Sequence, residues 1–339
     1  MFPSLPVGQG ATIRWPLGRL VIHPEAADDR LDCLSPLSQC RQRVDPSVQF
    51  AGFYRAAQAG YYANEGLEVT FQNEIDANLV PKVGQGTLDL GLADGTSVIP
   101  AVSQGIPIRY LATIYGQFPS IVFAKASSGI KDADDLVGRK LGIPGKFGSS
   151  WVMLQALLGS KGRTVADLTV VEYPDFGQGA AVAQGAVDAA TGFINNEPIQ
   201  LELTGEQVKV LQIDDVTPLP GPGIIAGTAM IASDREAVAG FVRATLRAMN
   251  EIAADPTVGL EAAIKAVPEL GKERAKQEAI LKATIAAWRP AGAPAGGAIT
   301  GAVDQAGWEK SLAFMTSLKL VPKPVTVGDL VDTSFVPGS

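Results

Sequence analysis

Hydrophobic and polar positions fall into short blocks that alternate between two periods. Ala56, Ala57 and Ala59 favour helix, and Gly60 and Gly66 stop it, since glycine takes positive φ at helix ends. Leu67, Val69 and Phe71 then alternate with Glu68 and Thr70, as on a strand with one buried face. The same reasoning predicts strands at 69–72, 88–93, 107–115, 120–125, 140–143, 168–173, 187–193, 208–213 and 224–231. Between them it predicts short helices at 77–85, 98–103, 130–136, 151–158 and 179–184, the last but one capped by Ser149 or Ser150. After Asp234 the pattern turns helical. Val238, Phe241, Thr245, Met249 and Ile252 form one apolar stripe over 235–255. Further helices are expected at 257–266, 271–288 and 304–318, a loop at 290–297 and a short closing helix at 325–331.

Strands alternating with helices imply α/β architecture with parallel sheet covered on both faces. Two such series followed by a helical tail imply two lobes. Residues 1–44 show no sustained period, and most of that stretch is expected to be poorly ordered or loosely attached.

Composition narrows the class. At 46% hydrophobic and 19% charged, the chain is globular. A net charge of −7 with no basic stripe argues against nucleic-acid binding. No apolar run reaches the length of a membrane span. No export signal is read at the N-terminus, because Arg14 and Arg19 interrupt the apolar residues and Pro16 and Pro24 break any helix. The two cysteines, Cys33 and Cys40, have no metal-site pattern around them, and the one histidine, His23, sits in the same segment. No catalytic triad or acid/base pair is found, and no cofactor or metal is expected.

Ligands of α/β sheets bind beyond the carboxyl ends of strands. Here those ends carry 94–97, 115–118, 146–151, 173–176 and 195–197, drawn from both series, so a cleft between lobes is the economical site. Asp94, Thr96 and Ser97 offer either an anion or acceptor site at a helix start or a simple Asx turn and N-cap. Lys146 supplies charge, Phe147, Ser149 and Ser150 follow it, and Trp151 either stacks on a ligand ring or packs as helix core. That loop lacks the full P-loop pattern, so nucleotide hydrolysis is not expected. Asn195 and Glu197 either hydrogen-bond a heterocycle or form a solvated loop. Tyr115, Gln117 and Phe118 frame a ligand or pack in a hinge. Gln49, Phe50 and Tyr54 near the first helix start suit a pocket rim or the core. Asp175 and Phe176 are weaker candidates. Trp288 and Trp308 are expected to be packing anchors.

At this point the residues resemble a known family. Phe53-Tyr54-Arg55-Ala56-Ala57-Gln58-Ala59-Gly60-Tyr61-Tyr62, followed by Glu65-Gly66-Leu67-Glu68-Val69, is similar to the opening of periplasmic solute-binding proteins of ABC importers. The branch is the one with thiamine-pyrimidine, riboflavin, nitrate, sulfonate and taurine binders. Asp89-Leu90-Gly91-Leu92-Ala93 resembles that family's strand before its first ligand loop. Gly129-Ile130-Lys131 with Asp135-Leu136-Val137-Gly138-Arg139-Lys140-Leu141-Gly142 resembles its lobe entry. Asn250 with Asp255-Pro256, and Ala306-Gly307-Trp308, resemble its C-terminal helices.

The resemblance spans about 45–336. It implies a bilobal type II binding fold, two mixed sheets flanked by helices with a helical C-terminal region. Lobe 1 would be 45–125 plus 226–339 and lobe 2 126–225, with crossings near 122–128 and 216–228 and a hinge that closes on solute. The departure is at the front, where Cys40-Arg41-Gln42-Arg43-Val44 stands in place of the family's apolar, Trp-bearing strand. The resemblance further implies a monomeric, non-enzymatic receptor that is periplasmic or extracytoplasmic and partners an ABC permease. Glu197 and the aromatic rims favour a thiamine-precursor pyrimidine, then riboflavin. A nitrate or sulfonate binder should show more cationic chemistry than Lys146 alone. A pyrimidine-synthase-like enzyme is the contrasting reading. It would need a histidine and a cysteine-rich iron motif within the matched region, where the sequence has neither.

Overall fold

The computed structural model describes residues 10–14, 47–72, 78–174, 176–294 and 296–336. His23, Cys33, Cys40 and Asp175 lie outside the described residues, as do 1–9 and 15–46.

The strands are β1 (Gly10–Arg14), β2 (Glu68–Gln72), β3 (Leu90–Ala93), β4 (Ile108–Thr113), β5 (Ser120–Lys125), β6 (Lys140–Ile143), β7 (Thr169–Glu172), β8 (Ala189–Phe193), β9 (Val208–Gln212) and β10 (Gly223–Gly227). They build two five-stranded sheets, in the orders β2-β1-β3-β10-β4 and β7-β6-β8-β5-β9.

Parallel pairing holds where a helix links the strands: β6 is parallel to both β7 and β8. It fails at three strands. β5 is antiparallel to β8 and β9, β10 to β3 and β4, and β1 to β2 and β3. The reason for β5 and β10 is topological. Each is reached directly from the other sheet, so it enters at the junction between the sheets and runs away from it. The sheets are therefore mixed.

Four local expectations change. Gly10–Arg14, read as lacking any strand period, is β1 and lies between β2 and β3 in the first sheet. Its register runs Gly10 opposite Gln72 to Arg14 opposite Glu68. The strand expected over 224–231 ends at Gly227, and Thr228–Ser233 is helical. The acidic 130–136 segment forms only a 3-10 turn, Asp134–Leu136. β5, expected with the first lobe, is hydrogen-bonded within the second sheet, so the chain passes between sheets at 114–119 and returns at 213–222.

Both faces of both sheets are covered. On β5, Val122 and Ala124 face one core and Ile121 and Phe123 the other. One face of the first sheet packs beneath the Ala51–Gln58 and Arg235–Ala254 helices, where Tyr62 stacks on Phe241 with ring centroids 4.9 Å apart. The other face holds Tyr110 edge-on to Trp308, which makes Trp308 the packing anchor its position suggested. Phe193, at the end of β8, packs into the core of the first sheet with Ile194 and Ile199 against it, so the two halves meet there. The long helices have explicit starts. Asp234 accepts from the Ala237 N–H, and Asp255 accepts from the Thr257 N–H ahead of a proline at the first helical position.

The two crossing segments run together. The N–H groups of Ile114 and Tyr115 donate to the Pro222 carbonyl, and Phe118 N–H donates to Asp214 Oδ2 at 2.9 Å. No helix among the described residues is long and apolar enough to cross a membrane.

Candidate functional site

The exit of β8, the first crossing segment and the Arg274–Ala287 helix converge where the two sheets meet. Of the residues singled out in the sequence, Gln49, Tyr115 and Asn195 meet at this junction, and the others have roles of their own.

Asp94 ends β3 and caps the Gly95–Ser103 helix. Its Oδ1 accepts from Thr96 Oγ1 at 2.6 Å, the Ser97 N–H at 3.0 Å and Ser97 Oγ at 3.3 Å. Burial pushes the carboxyl up, and these bonds pull it back. Of the two readings of Asp94, Thr96 and Ser97, the structure shows the local cap.

The 144–151 loop differs from expectation. The helix begins at Gly148, with Phe147 in the capping position and no side-chain cap, so Ser149 and Ser150 belong to its first turn and do not cap it. Ser149 is buried, and Ser150 Oγ shares a hydrogen bond with Ser120 Oγ at 3.0 Å, tying the helix to the start of β5. Trp151 is half-buried against the core of the second sheet. Phe147 is 71% exposed. Lys146 Nζ lies 3.4 Å from Glu172 Oε1, with both side chains about half exposed. Phe176 takes a φ of 60°, the left-handed region that a bulky residue seldom adopts.

Beyond β8, Asn195 is fully buried. Its Nδ2 donates to Thr284 Oγ1 at 2.9 Å and to the Tyr115 hydroxyl at 3.5 Å. Glu197 begins the Glu197–Leu203 helix and turns back on its own loop: Oε2 accepts from the Phe193 N–H at 2.8 Å. Burial pushes its carboxyl up to about 7, against hydrogen bonds from the Phe193 and Glu197 amides and the Asn196 side chain. The carboxylate is thus spent on backbone, not held out to an amine. It is buried, and the solvated-loop alternative does not apply.

Gln49 is buried on the 3-10 turn Val48–Phe50, where Ser47 Oγ donates to its Oε1 at 3.1 Å. Its backbone carbonyl accepts from the Tyr115 hydroxyl at 3.4 Å. Phe50 and Tyr54 belong to the core of the first sheet, with the Tyr54 ring edge-on to Phe71. Gln117 spans the crossing: Nε2 donates to the Ala286 carbonyl at 3.1 Å and Oε1 accepts from Gln212 Nε2 at 3.4 Å. Phe118 is buried in the core of the second sheet.

Two residues at the junction were not foreseen there. Thr284 and Trp288 lie four apart, on one face of the predicted 271–288 helix, a spacing that could have marked them as a pair. Trp288 is buried beside the Tyr115 hydroxyl, which is held up by burial and stabilised in return by Asn195, Trp288 and Thr284. Gln49, Tyr115, Asn195, Thr284 and Trp288 thus form one buried polar and aromatic cluster, contributed by both halves of the chain. Within it Gln49 Nε2 and Asn195 Oδ1 have no hydrogen-bond partner. Among the described residues no three His, Cys, Asp or Glu side chains gather to hold a metal. The cluster's chemistry is that of hydrogen bonding and ring contact. A separate groove of about 1140 Å³ lies along the Gln305–Ser317 helix, beside Arg109, Leu312 and Val325, and shares no residue with the cluster.

The comparisons agree with this architecture. Riboflavin-binding protein RibY of Chloroflexus aurantiacus is 36% identical over 298 residues, covering 86% of this chain and 84% of RibY. A 4-amino-5-hydroxymethyl-2-methylpyrimidine phosphate synthase of Legionella pneumophila is 30% identical over 224 residues, 63% of this chain and 69% of the synthase. Among solved structures, the periplasmic sulfonate-binding protein SsuA from Methylobacillus flagellatus aligns with a TM-score of 0.60 at 18% identity, over 84% of this chain and 86% of that one. The fold is that of the solute-binding components of ABC importers. Residues 47–258 match the family described as NMT1/THI5 like. On that match, and on the relatedness to RibY along most of both chains, the protein belongs to the NMT1/THI5-like family.

Proposed function

We propose that this protein is the solute receptor of an ABC importer and closes its two lobes on a planar heterocycle of the flavin class, riboflavin being the first candidate. The observation that carries the reading is the buried cluster of Gln49, Tyr115, Asn195, Thr284 and Trp288, built from both halves and rich in unmatched hydrogen-bonding atoms. The similarity to RibY over 86% of the chain supports riboflavin over the thiamine-precursor pyrimidine favoured by the sequence. Sulfonate is disfavoured because the cluster holds no cation and Lys146 is directed to Glu172. The lobes pivot on the paired segments 114–119 and 213–222. A receptor of this kind works as a monomer outside the cytoplasmic membrane and presents its closed face to a permease.

The test is a titration of purified protein with riboflavin, followed by flavin fluorescence and calorimetry, beside a hydroxymethylpyrimidine and an alkanesulfonate. Riboflavin should bind at micromolar concentration or below, with fluorescence quenched by ring contact. Tight sulfonate binding with no flavin binding would overturn the reading. The synthase-named relatives favour a second reading, an enzyme of pyrimidine formation. Against it, the single histidine, His23, lies outside the matched 47–258 region.

A further inference from the structure

β8 extends past the end of its pairing with β6. That pairing stops at Gly142 opposite Ala190, while β8 continues to Phe193. Beyond that point two side chains bond to its backbone, as buried amides and carbonyls require. Gln178 Nε2 donates to the Thr191 carbonyl at 3.3 Å, and Glu197 Oε2 accepts from the Phe193 N–H at 2.8 Å. Both side chains are buried. Glycines leave room for the carboxylate. A Cβ at Gly192 would stand 2.9 Å from Glu197 Oε2, and one at Gly179 would stand 3.4 Å from Glu197 Cγ. The chain turns directly after Phe193, whose carbonyl accepts from the Asn196 N–H at 2.9 Å. Asn195 sits on that turn, and its Nδ2 reaches Thr284 and Tyr115.

We infer that Glu197 is a positioning residue: its carboxylate closes the turn after β8 and so aims Asn195 across the junction of the two halves at Thr284 and Tyr115. The turn is held from two sides. The Ile194 N–H donates to the Pro119 carbonyl at 2.9 Å, which ties it to the first crossing segment, and Glu197 ties its base at Phe193. The target is fixed as well. Thr284 Oγ1 donates to the Ile280 carbonyl at 2.8 Å, so toward Asn195 it accepts. A bond between two such buried groups tolerates little displacement of either. Without its acceptor the buried Phe193 N–H would be left unpaired, and the turn would relax to satisfy it. Glu197 thus acts through Asn195 and not as a solute contact of its own. The effect on solute rests on the receptor reading above; the effect on the Asn195–Thr284 bond does not.

The experiment measures riboflavin affinity and urea unfolding on the full chain, with Glu197 replaced alone and in two double-mutant cycles. Glu197→Met fills the same space without an acceptor and should weaken riboflavin by about tenfold. Glu197→Gln keeps an acceptor for the Phe193 N–H and should restore most of that loss. With Asn195→Ala already present, Glu197→Met should change affinity by less than about twofold, because the residue it positions is gone. Independently of any solute, Thr284→Val should lower the urea midpoint of the unaltered chain and leave that of Glu197→Met nearly unchanged. Additive effects of Thr284→Val and Glu197→Met would overturn the inference and leave the receptor reading standing, as would a loss in Glu197→Gln as large as in Glu197→Met. If riboflavin does not bind the unaltered protein, the receptor reading falls, and the Thr284 cycle alone decides this inference. Should Glu197→Met not fold, Gly192→Ala, which crowds the carboxylate's seat, takes its place in both cycles.

Discussion

Asn195 Nδ2 donates to Thr284 Oγ1 at 2.9 Å and so joins the exit of β8 to the Arg274–Ala287 helix, across the junction of the two sheets. Both side chains are fully buried. The bond therefore forms only when both halves are in place, and it ties folding of the second sheet's exit to a helix packed on the first. Thr284→Val keeps the shape and removes the acceptor, leaving the Asn195 amide with only the longer contact to Tyr115 at 3.5 Å. Urea unfolding should show a loss of about 1–3 kcal/mol, the cost of a buried donor left without its partner. A change near zero would show that the bond does not persist in solution.

Glu197 makes stability depend on pH. Its carboxyl is raised from 4.5 to about 7 in the folded protein by burial. Between those values the folded state keeps a proton that the unfolded state has released. Stability therefore falls as pH rises from about 4.5 to 7 and levels off above it, by on the order of 3 kcal/mol in total. Asp214, raised from 3.8 to about 6 by burial, acts in the same direction over the lower part of the window. Glu197→Gln keeps an acceptor for the Phe193 N–H and removes the titration. Urea midpoints measured at pH 5 and pH 8 should differ less in the variant than in the unaltered protein, and the variant should be the more stable at pH 8.

Gly221 is where the two crossing segments touch backbone to backbone. A Cβ there would stand 2.2 Å from the Tyr115 carbonyl oxygen, a neighbour that cannot rotate away. Gly221→Ala should cost about 1–3 kcal/mol or more by overpacking and should lower the thermal midpoint. An unchanged midpoint would mean that the segments separate in solution.

Lys146 is expected to matter little. It pairs with Glu172 at 3.4 Å, with both groups about half exposed. Exposed pairs contribute at most about 1 kcal/mol and often much less. Lys146→Ala should leave stability within about 0.5 kcal/mol and riboflavin affinity within about threefold. A large loss of affinity would put Lys146 among the ligand contacts.

Much of the secondary structure was legible because it rests on local periodicity. The stripe from Val238 to Ile252 predicted the Arg235–Ala254 helix to within a residue, and β5 and β6 were read at their observed bounds. The misreadings are equally local in origin. Gly223–Gly227 and Thr228–Ser233 form one apolar run, and a run of that kind does not show where a strand gives way to a helix. β1 was missed because its five residues, with Arg14 at the end, are too few to show a period.

The candidate site was legible in part. Strand ends pointed to Asp94, Tyr115, Asn195 and Glu197, and all four are buried where chain segments turn. Their roles were not legible, because a side chain's partner depends on which loops the tertiary structure brings alongside. Asp94 and Glu197 bond to their own turns, whereas Asn195 finds a partner 89 residues away. The sequence by itself determined the order of most elements, the α/β class and the family, because each follows from patterns a few residues long. Only the tertiary structure decided the strand directions, the points of crossing between sheets and the pairing of Asn195 with Thr284 and Tyr115. Those depend on contacts between segments far apart in the chain, and no local pattern encodes them.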